Sequence, residues 1–233
     1  GTIEFEHLSD AASIPEEQVA SVALDDLCLL PHTSGTTGRQ KVIMLTHGNM
    51  TWNAVNMAVT AGISRSDTTI AIAPLFRTGG LGVNVLPVLF MGGTVVLPRE
   101  QTPEEILRLM DLHQVTVGFG NPDFLAAMAR SPLWEEVDLT SLRFIIAGGA
   151  AVPARLIRTY RDRGVELLQG YGLSEAGPAC LLLQPHDSLR KIGSAGKPIL
   201  QVDARLVDAS GSDVARGEVG ELLVRGPNVM AGY

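Results

Sequence analysis

The chain has 233 residues, about 1.6 times a 150-residue domain, which leaves room for one large domain or for one domain and part of a second. Hydrophobic residues make up 45% and charged residues 18%, and the 25 Gly and 13 Pro are dispersed, so disorder and collagen-like repetition are excluded. With 18 Lys plus Arg against 25 Asp plus Glu the net charge is −7; general nucleic-acid binding is disfavoured, and an anionic ligand has to be met by local devices. Cys28 and Cys180 lie far apart and read as core thiols rather than a bridge. The five His form no metal-binding spacing. The most apolar stretch, Leu81 to Leu97, is broken by Asn84, Pro87, Gly92 and Gly93 and falls short of a membrane span. No secretory signal is visible, which makes the cytoplasm the default compartment, and the absent initiator Met suggests an excised segment.

After a polar entry through about Asp26, short apolar β-type runs alternate with segments of helical period, the pattern of an α/β domain with a largely parallel, buried sheet. Strands are expected at Leu27 to Leu30, Val42 to Leu45, Thr69 to Ala73, Thr94 to Leu97, Val115 to Gly118, Arg143 to Ala147 and Glu166 to Leu168. Thr102-Pro103-Glu104-Glu105 joins an N-cap, Pro at the first helical position and Glu three residues after the cap, and starts a helix ending near His113. A second helix follows Pro153, with Leu156, Ile157 and Tyr160 as its apolar stripe. From about Gly193 the texture changes to strands without helices, Val202 to Val207 and Glu221 to Arg225. The expected division is an α/β core over 1–192 and the start of an all-β subdomain over 193–233, and the ending at Gly232-Tyr233 reads as a truncation.

The most informative segment is Thr33-Ser34-Gly35-Thr36-Thr37-Gly38-Arg39-Gln40-Lys41. Gly35 and Gly38 let backbone approach an anion, the hydroxyls of Thr33, Ser34, Thr36 and Thr37 can donate to phosphate oxygens, and Lys41 adds a mobile positive charge. It is not a Walker loop, since Lys41 stands three residues beyond Gly38 and precedes Val42. The segment resembles the phosphate-binding signature of the adenylate-forming superfamily, which contains acyl-CoA synthetases, peptide-synthetase adenylation domains and luciferases. Four further segments agree in order: Pro74-Leu75-Phe76-Arg77-Thr78-Gly79-Gly80, Gly148-Gly149-Ala150-Ala151, Gln169-Gly170-Tyr171-Gly172-Leu173-Ser174-Glu175, and Gly217-Glu218-Val219-Gly220-Glu221-Leu222 with Arg225-Gly226 and Gly232-Tyr233. The resemblance implies the large N-terminal domain of that family, β-sheets flanked by helices followed by a β-barrel-like subdomain, with the C-terminal domain absent.

The same resemblance implies ATP-dependent activation of a carboxylic acid, a fatty or related acyl group, to an acyl adenylate, followed by transfer to CoA. That makes an AMP-forming acid–thiol ligase that uses ATP, Mg²⁺ and CoA. Ser34, Thr36, Thr37 and Lys41 would hold the β and γ phosphates, Ser174 would contact the α-phosphate, and Glu175 would ligate Mg²⁺. Tyr171 offers a flat face to adenine with Gly149 and Ala150 opposite, and Gln169, Gly170 and Gly172 complete the nucleotide side. The acyl pocket and gate would be formed by Phe76, Arg77, Phe119, Gly120, Asn121, Gly148, Gly177 and Pro178. Asn121 reads either as a polar contact to the acid or as a helix cap before Pro122. His47 reads as a helix-start residue.

Arg77 departs from the pattern, since many relatives carry His there; it either pairs with a second carboxylate of the substrate or a CoA phosphate, or is solvated outside the pocket. Gln40 and Val42 are smaller departures that remove no phosphate ligand. Two alternatives stay within the family: an adenylation domain that loads a carrier protein, and a non-catalytic nucleotide-binding relative. A third comes from another class, because Gly172-Leu173-Ser174-Glu175-Ala176 nearly spells the nucleophile elbow of α/β hydrolases. Without a C-terminal domain the isolated piece is expected to adenylate poorly. The partners expected are ATP, CoA and a small carboxylic acid, with neither nucleic acid nor an integral membrane segment, and a homodimer is left open.

Overall fold

The structure, a computed structural model, describes residues 21–32 and 41–233. The loop residues Thr33, Ser34, Gly35, Thr36, Thr37 and Gly38 therefore lie outside the described residues, as does Gln40. A seven-stranded sheet organises the molecule, in the order β4 (Thr94–Val96), β3 (Thr68–Ile70), β5 (Val117–Gly120), β6 (Phe144–Ala147), β7 (Glu166–Gly172), β8 (Ala179–Leu182) and β9 (Lys197–Pro198). The pairings from β4 to β7 are parallel and those of β7 with β8 and of β8 with β9 antiparallel. Five of the apolar runs expected from sequence recur as β3 to β7 with ends that differ by up to four residues, whereas β8 and β9 are not among the expected strands.

Both faces of the sheet are covered, which explains why its strands read as continuous apolar runs. Alternation divides each strand between two cores. Ile145, Ala147 and Leu167 face one core with α4 (Pro103–Leu112), α5 (Pro122–Met128) and α6 (Ala154–Asp162), whereas Phe144, Ile146 and Leu168 face the other, with α1 (His47–Ala61) and with α3 (Leu86–Phe90), which follows the short α2 (Thr78–Gly80). A fully buried Leu or Ile in either core contributes about 2 kcal/mol. The cap expected at Thr102 is present, accepting from the Glu105 N–H at 3.3 Å, and Leu156, Ile157 and Tyr160 are buried as the stripe after Pro153 requires. Tyr160 is fully enclosed, donates to the Leu125 carbonyl at 2.9 Å, and has its phenol pushed far up by burial.

The amino ends of three adjacent strands are tied by one carboxylate. Asp67, Thr116 and Arg143 immediately precede β3, β5 and β6. Asp67 accepts from the Ser64 N–H, from the Thr116 hydroxyl at 2.7 Å and from Arg143 Nη2 at 2.8 Å. Burial tends to raise its pKa, but the bonds from Thr116, Ser64 and Arg143 outweigh that and hold it below the ordinary carboxylate value.

Around the undescribed loop, His32 bridges Val42, and Leu27 to Leu29 (β1) pairs antiparallel with Leu45–Thr46 (β2). The expected strand Val42 to Leu45 is thus a set of bridges that ends in β2. β9 pairs with β8 although it lies beyond residue 193, so the large sheet continues past the proposed boundary. A two-stranded sheet of β10 (Asp203–Val207) and β11 (Glu221–Arg225) follows. Cys28 corrects an expectation: it is exposed rather than a core thiol, whereas Cys180 is buried, and both are free. Among the described residues no helix is long and apolar enough to cross a membrane.

Candidate active site

The parallel strands β5, β6 and β7 end side by side, and the residues beyond their carboxyl ends form the site, as in open α/β sheets generally. β7 runs on through Gly172 and is followed by a short turn, Ser174–Ala176, carrying Ser174 and Glu175. Close approach explains the composition here. A Cβ on Gly172 would lie 1.9 Å from the Pro178 carbonyl oxygen, so only glycine lets β7 fold back on the Gly177-Pro178 segment. Asn228 secures the same segment from inside, donating to the Ala176 and Ala179 carbonyls at 2.6 and 2.9 Å. The Met230 N–H donates to the Glu175 carbonyl at 2.8 Å, and Asn49, within the capping box of α1, donates to Pro227 and Val229.

Two cavities meet at Gly149, Gly170, Tyr171 and Gly172. The first, about 420 Å³, is lined by Arg77, Phe119, Gly148, Ser174 and Pro178, with apolar walls from Met57, Val83 and Leu181. The second, about 400 Å³, is lined by Ala150, Ala151, Val152, Gln169, Gly193 and Ala195 together with the shared residues. Gly149 takes φ +84° with open space around its Cβ position, so it turns the chain between the cavities and presents bare backbone. Gln169 is 6% exposed and its Nε2 has no partner among the described residues, a buried donor on the second side.

The structure brings together most of the residues expected on the nucleotide side, but divides those expected around the acid. Arg77, Phe119, Gly148 and Pro178 line the first cavity. Gly120 does not, because successive strand residues face opposite ways: Phe119 points to the cavity while Gly120 packs against Leu125 in the core. Asn121 Oδ1 accepts from the Phe124 N–H at 2.8 Å and caps α5, and Asn121 is not among the residues that line the first cavity. Phe76 is 80% exposed and borders a separate pocket of about 160 Å³, and Gly177 lies behind the lining, against Asn228. His47 is the first residue of α1.

Sequence reasoning did not single out Met57, Val83, Asn228 or the role of Thr78. Met57 and Val83 belong to helical segments whose apolar patterns resemble those of any core residue. Asn228 gave one signal, a polar residue inside an apolar run before Gly232-Tyr233.

Charge and hydroxyl groups gather at the rim. Tyr233 donates its phenol to Glu175 Oε1 at 3.0 Å, which raises its pKa, and Lys41 Nζ lies 4.5 Å from the centre of the Tyr233 ring. The Met44–Gly232 bridge brings the two segments together. Thr78 donates to Ser174 Oγ at 2.9 Å. Ser174 thus has a hydroxyl partner in place of the His that a nucleophile elbow needs, and no His lines either cavity among the described residues. Burial pushes the Cys180 thiol to about 11, which removes it as a nucleophile at neutral pH. Among the described residues no cluster of three or more His, Cys, Asp or Glu could hold a metal alone. A single half-exposed carboxylate with one oxygen bonded to a phenol fits instead an ion that takes most of its ligands from phosphate and water, as Mg²⁺ does.

Residues 2–233 match the AMP-binding enzyme family. The chain is 48% identical over 212 residues to a feruloyl-CoA synthase of Amycolatopsis sp, covering 91% of this chain and 43% of the relative. Its fold is similar to the N-terminal domain of FACL13 from Mycobacterium tuberculosis, solved with an inhibitor, at TM-score 0.88 and 30% identity over 97% of this chain and 56% of that one. It is also similar to the o-succinylbenzoate coenzyme A synthetase (MenE) of Bacillus subtilis solved with ATP and magnesium, at TM-score 0.87 and 32% identity over 100% of this chain and 48% of that one. The chain therefore spans about half the length of these relatives. With an α/β sheet of that likeness, a glycine-lined double cavity at its strand ends and a match over nearly every residue, the chain belongs to the AMP-binding enzyme family.

Proposed function

We propose that this chain forms the acid- and nucleotide-binding part of an AMP-forming acyl-CoA synthetase. The observation that carries the reading is the pair of cavities meeting at Gly149 and Tyr171, with Ser174 lining the first and Glu175 next to it in the turn that follows β7. In the first step a carboxylate oxygen bonds to the α-phosphorus of ATP and the bond to pyrophosphate breaks. In the second a CoA thiol bonds to the acyl carbon, loses its proton, and AMP departs.

The residues of this chain act by position and charge. Tyr171 and the backbone of Gly149 hold the adenine between them, with the unpartnered Gln169 amide as a donor to the ring. Ser174 donates to an α-phosphate oxygen, and Lys41 and the loop from Thr33 to Gly38 hold the β and γ phosphates. Mg²⁺, when bound, neutralises phosphate charge, and Glu175 is the residue that would hold it.

The apolar walls of the first cavity suit an aryl or short acyl group. The likeness to a feruloyl-CoA synthase favours an aryl-substituted acid among the fatty or related acyl groups expected from sequence. The test is Mg²⁺- and ATP-dependent pyrophosphate release by the full-length protein across short, long, aromatic and dicarboxylic acids, with and without CoA. Release driven by aromatic acids and raised by CoA is expected. No release with any acid would overturn the reading in favour of a non-catalytic relative, and ester cleavage without ATP, with fluorophosphonate labelling of Ser174, would favour the hydrolase.

A further inference from the structure

Ser174 lines the first cavity two residues beyond Gly172, where the wall shared with the second cavity ends, yet a serine side chain by itself is poorly fixed. Its Cβ carries a single heavy substituent, and three staggered rotamers are open to it where a β-branched residue would be restricted to one or two. What holds it here comes from another part of the chain, 96 residues earlier: Thr78 Oγ1 donates to Ser174 Oγ at 2.9 Å. Thr78 is a rigid reference. It is 5% exposed and β-branched, and it begins the helical turn Thr78–Gly80. That turn is tightly closed, since a Cβ on Gly80 would fall 2.2 Å from the Pro74 carbonyl oxygen.

We propose that Thr78 is a positioning residue for the adenylation step, acting through Ser174. A serine hydroxyl has one proton and two lone pairs. With one lone pair occupied by the Thr78 proton, Ser174 keeps its own proton to donate, and the rotamer that satisfies Thr78 sets the direction in which that proton points. A phosphate oxygen that reaches Ser174 in the first cavity then meets a donor already oriented, and the donor is strengthened by the bond it accepts. This inference rests on the reading of Ser174 as the α-phosphate contact.

The experiment uses the full-length protein and its T78V, T78S, S174A and T78V/S174T variants. ATP–pyrophosphate exchange gives kcat and KM, and the ³¹P resonance of bound AMP gives a readout independent of turnover. T78V keeps the shape and removes the hydroxyl; it is expected to lower kcat about tenfold with the KM for the acid within about twofold, and to move the AMP resonance toward that of S174A. T78S is expected to restore most of the rate, and T78V/S174T part of it, because threonine at 174 restricts its own rotamers. A T78V protein with wild-type kcat and wild-type resonance would overturn the proposal. So would a loss that T78S fails to repair, which would assign Thr78 to packing. If T78V does not fold, T78A is read by the same outcomes. Exchange absent from the wild type with every acid would remove the ligase reading, and the AMP resonance of T78V would still decide the role of Thr78.

Discussion

The two cavities are nearly equal in volume, about 420 and 400 Å³, and share the wall of Gly149, Gly170, Tyr171 and Gly172, yet they are built in opposite ways. The second is made mostly of two contiguous stretches, 149–152 and 169–172, that present backbone and small side chains. The first is assembled from side chains on α1, the turns after Arg77, and strands β5, β6, β7 and β8. The contrast follows from the ligands they would take. A nucleotide is constant and is met by backbone groups at strand ends, whereas an acid is met by shape, and shape is set by side chains that any element can supply.

Substitutions should separate the two. The largest effect is expected from Gly172→Ala, whose Cβ meets the Pro178 backbone; a loss of about 3 kcal/mol in chemical denaturation, with both cavities disturbed, would confirm that the shared wall is a packed structure. Val83→Phe, which intrudes only on the first cavity, is expected to raise the KM for an aryl acid about tenfold and leave the KM for ATP within about twofold. An equal rise in both would show that the cavities are not independent. Gly149→Ala meets no atom and carries only the cost of its positive φ, about 1 kcal/mol, so it should fold and bind AMP more weakly in titration calorimetry.

Arg77→His probes the only side chain with a permanent charge among the described residues that line the first cavity. If Arg77 meets a second anionic group, the preference between mono- and dicarboxylic acids should shift by about threefold in kcat/KM; unchanged selectivity would place the guanidinium in solvent. The smallest effect concerns the scaffold beneath both cavities. The folded pKa of Asp67 lies below its ordinary 3.8, so its contribution is complete above that pH and is lost as the pH falls through the folded value. The difference in Tm between wild type and Asp67→Asn should therefore shrink as the pH is lowered from about 5 to 2. A constant difference would mean that the clamp at the strand amino ends is not electrostatic.

Much of this was legible in the residues. The apolar runs Val115 to Gly118 and Arg143 to Ala147 gave strands because a strand buried on both faces must be apolar throughout, and Thr102-Pro103 gave a helix start because capping is local. The antiparallel return of β8 was not visible, since Ala179 to Leu182 is as apolar as its neighbours and only the close approach at Gly172 turns it back. Asn121 shows the limit at a single residue: its position before Pro122 suited both a cap and a contact to the acid, and the direction of α5 gave it to the cap.

The sequence by itself determined the alternation of strands and helices, the glycines that let chain approach chain, and the two contiguous stretches that line the second cavity, because each depends on neighbours a few positions apart. Tertiary structure alone decided which of Phe119 and Gly120 faces the first cavity, that Asn228 braces the signature turn, and that Thr78 meets Ser174. Those relations join residues tens of positions apart, and only the packing of helices on a twisted sheet fixes their distances.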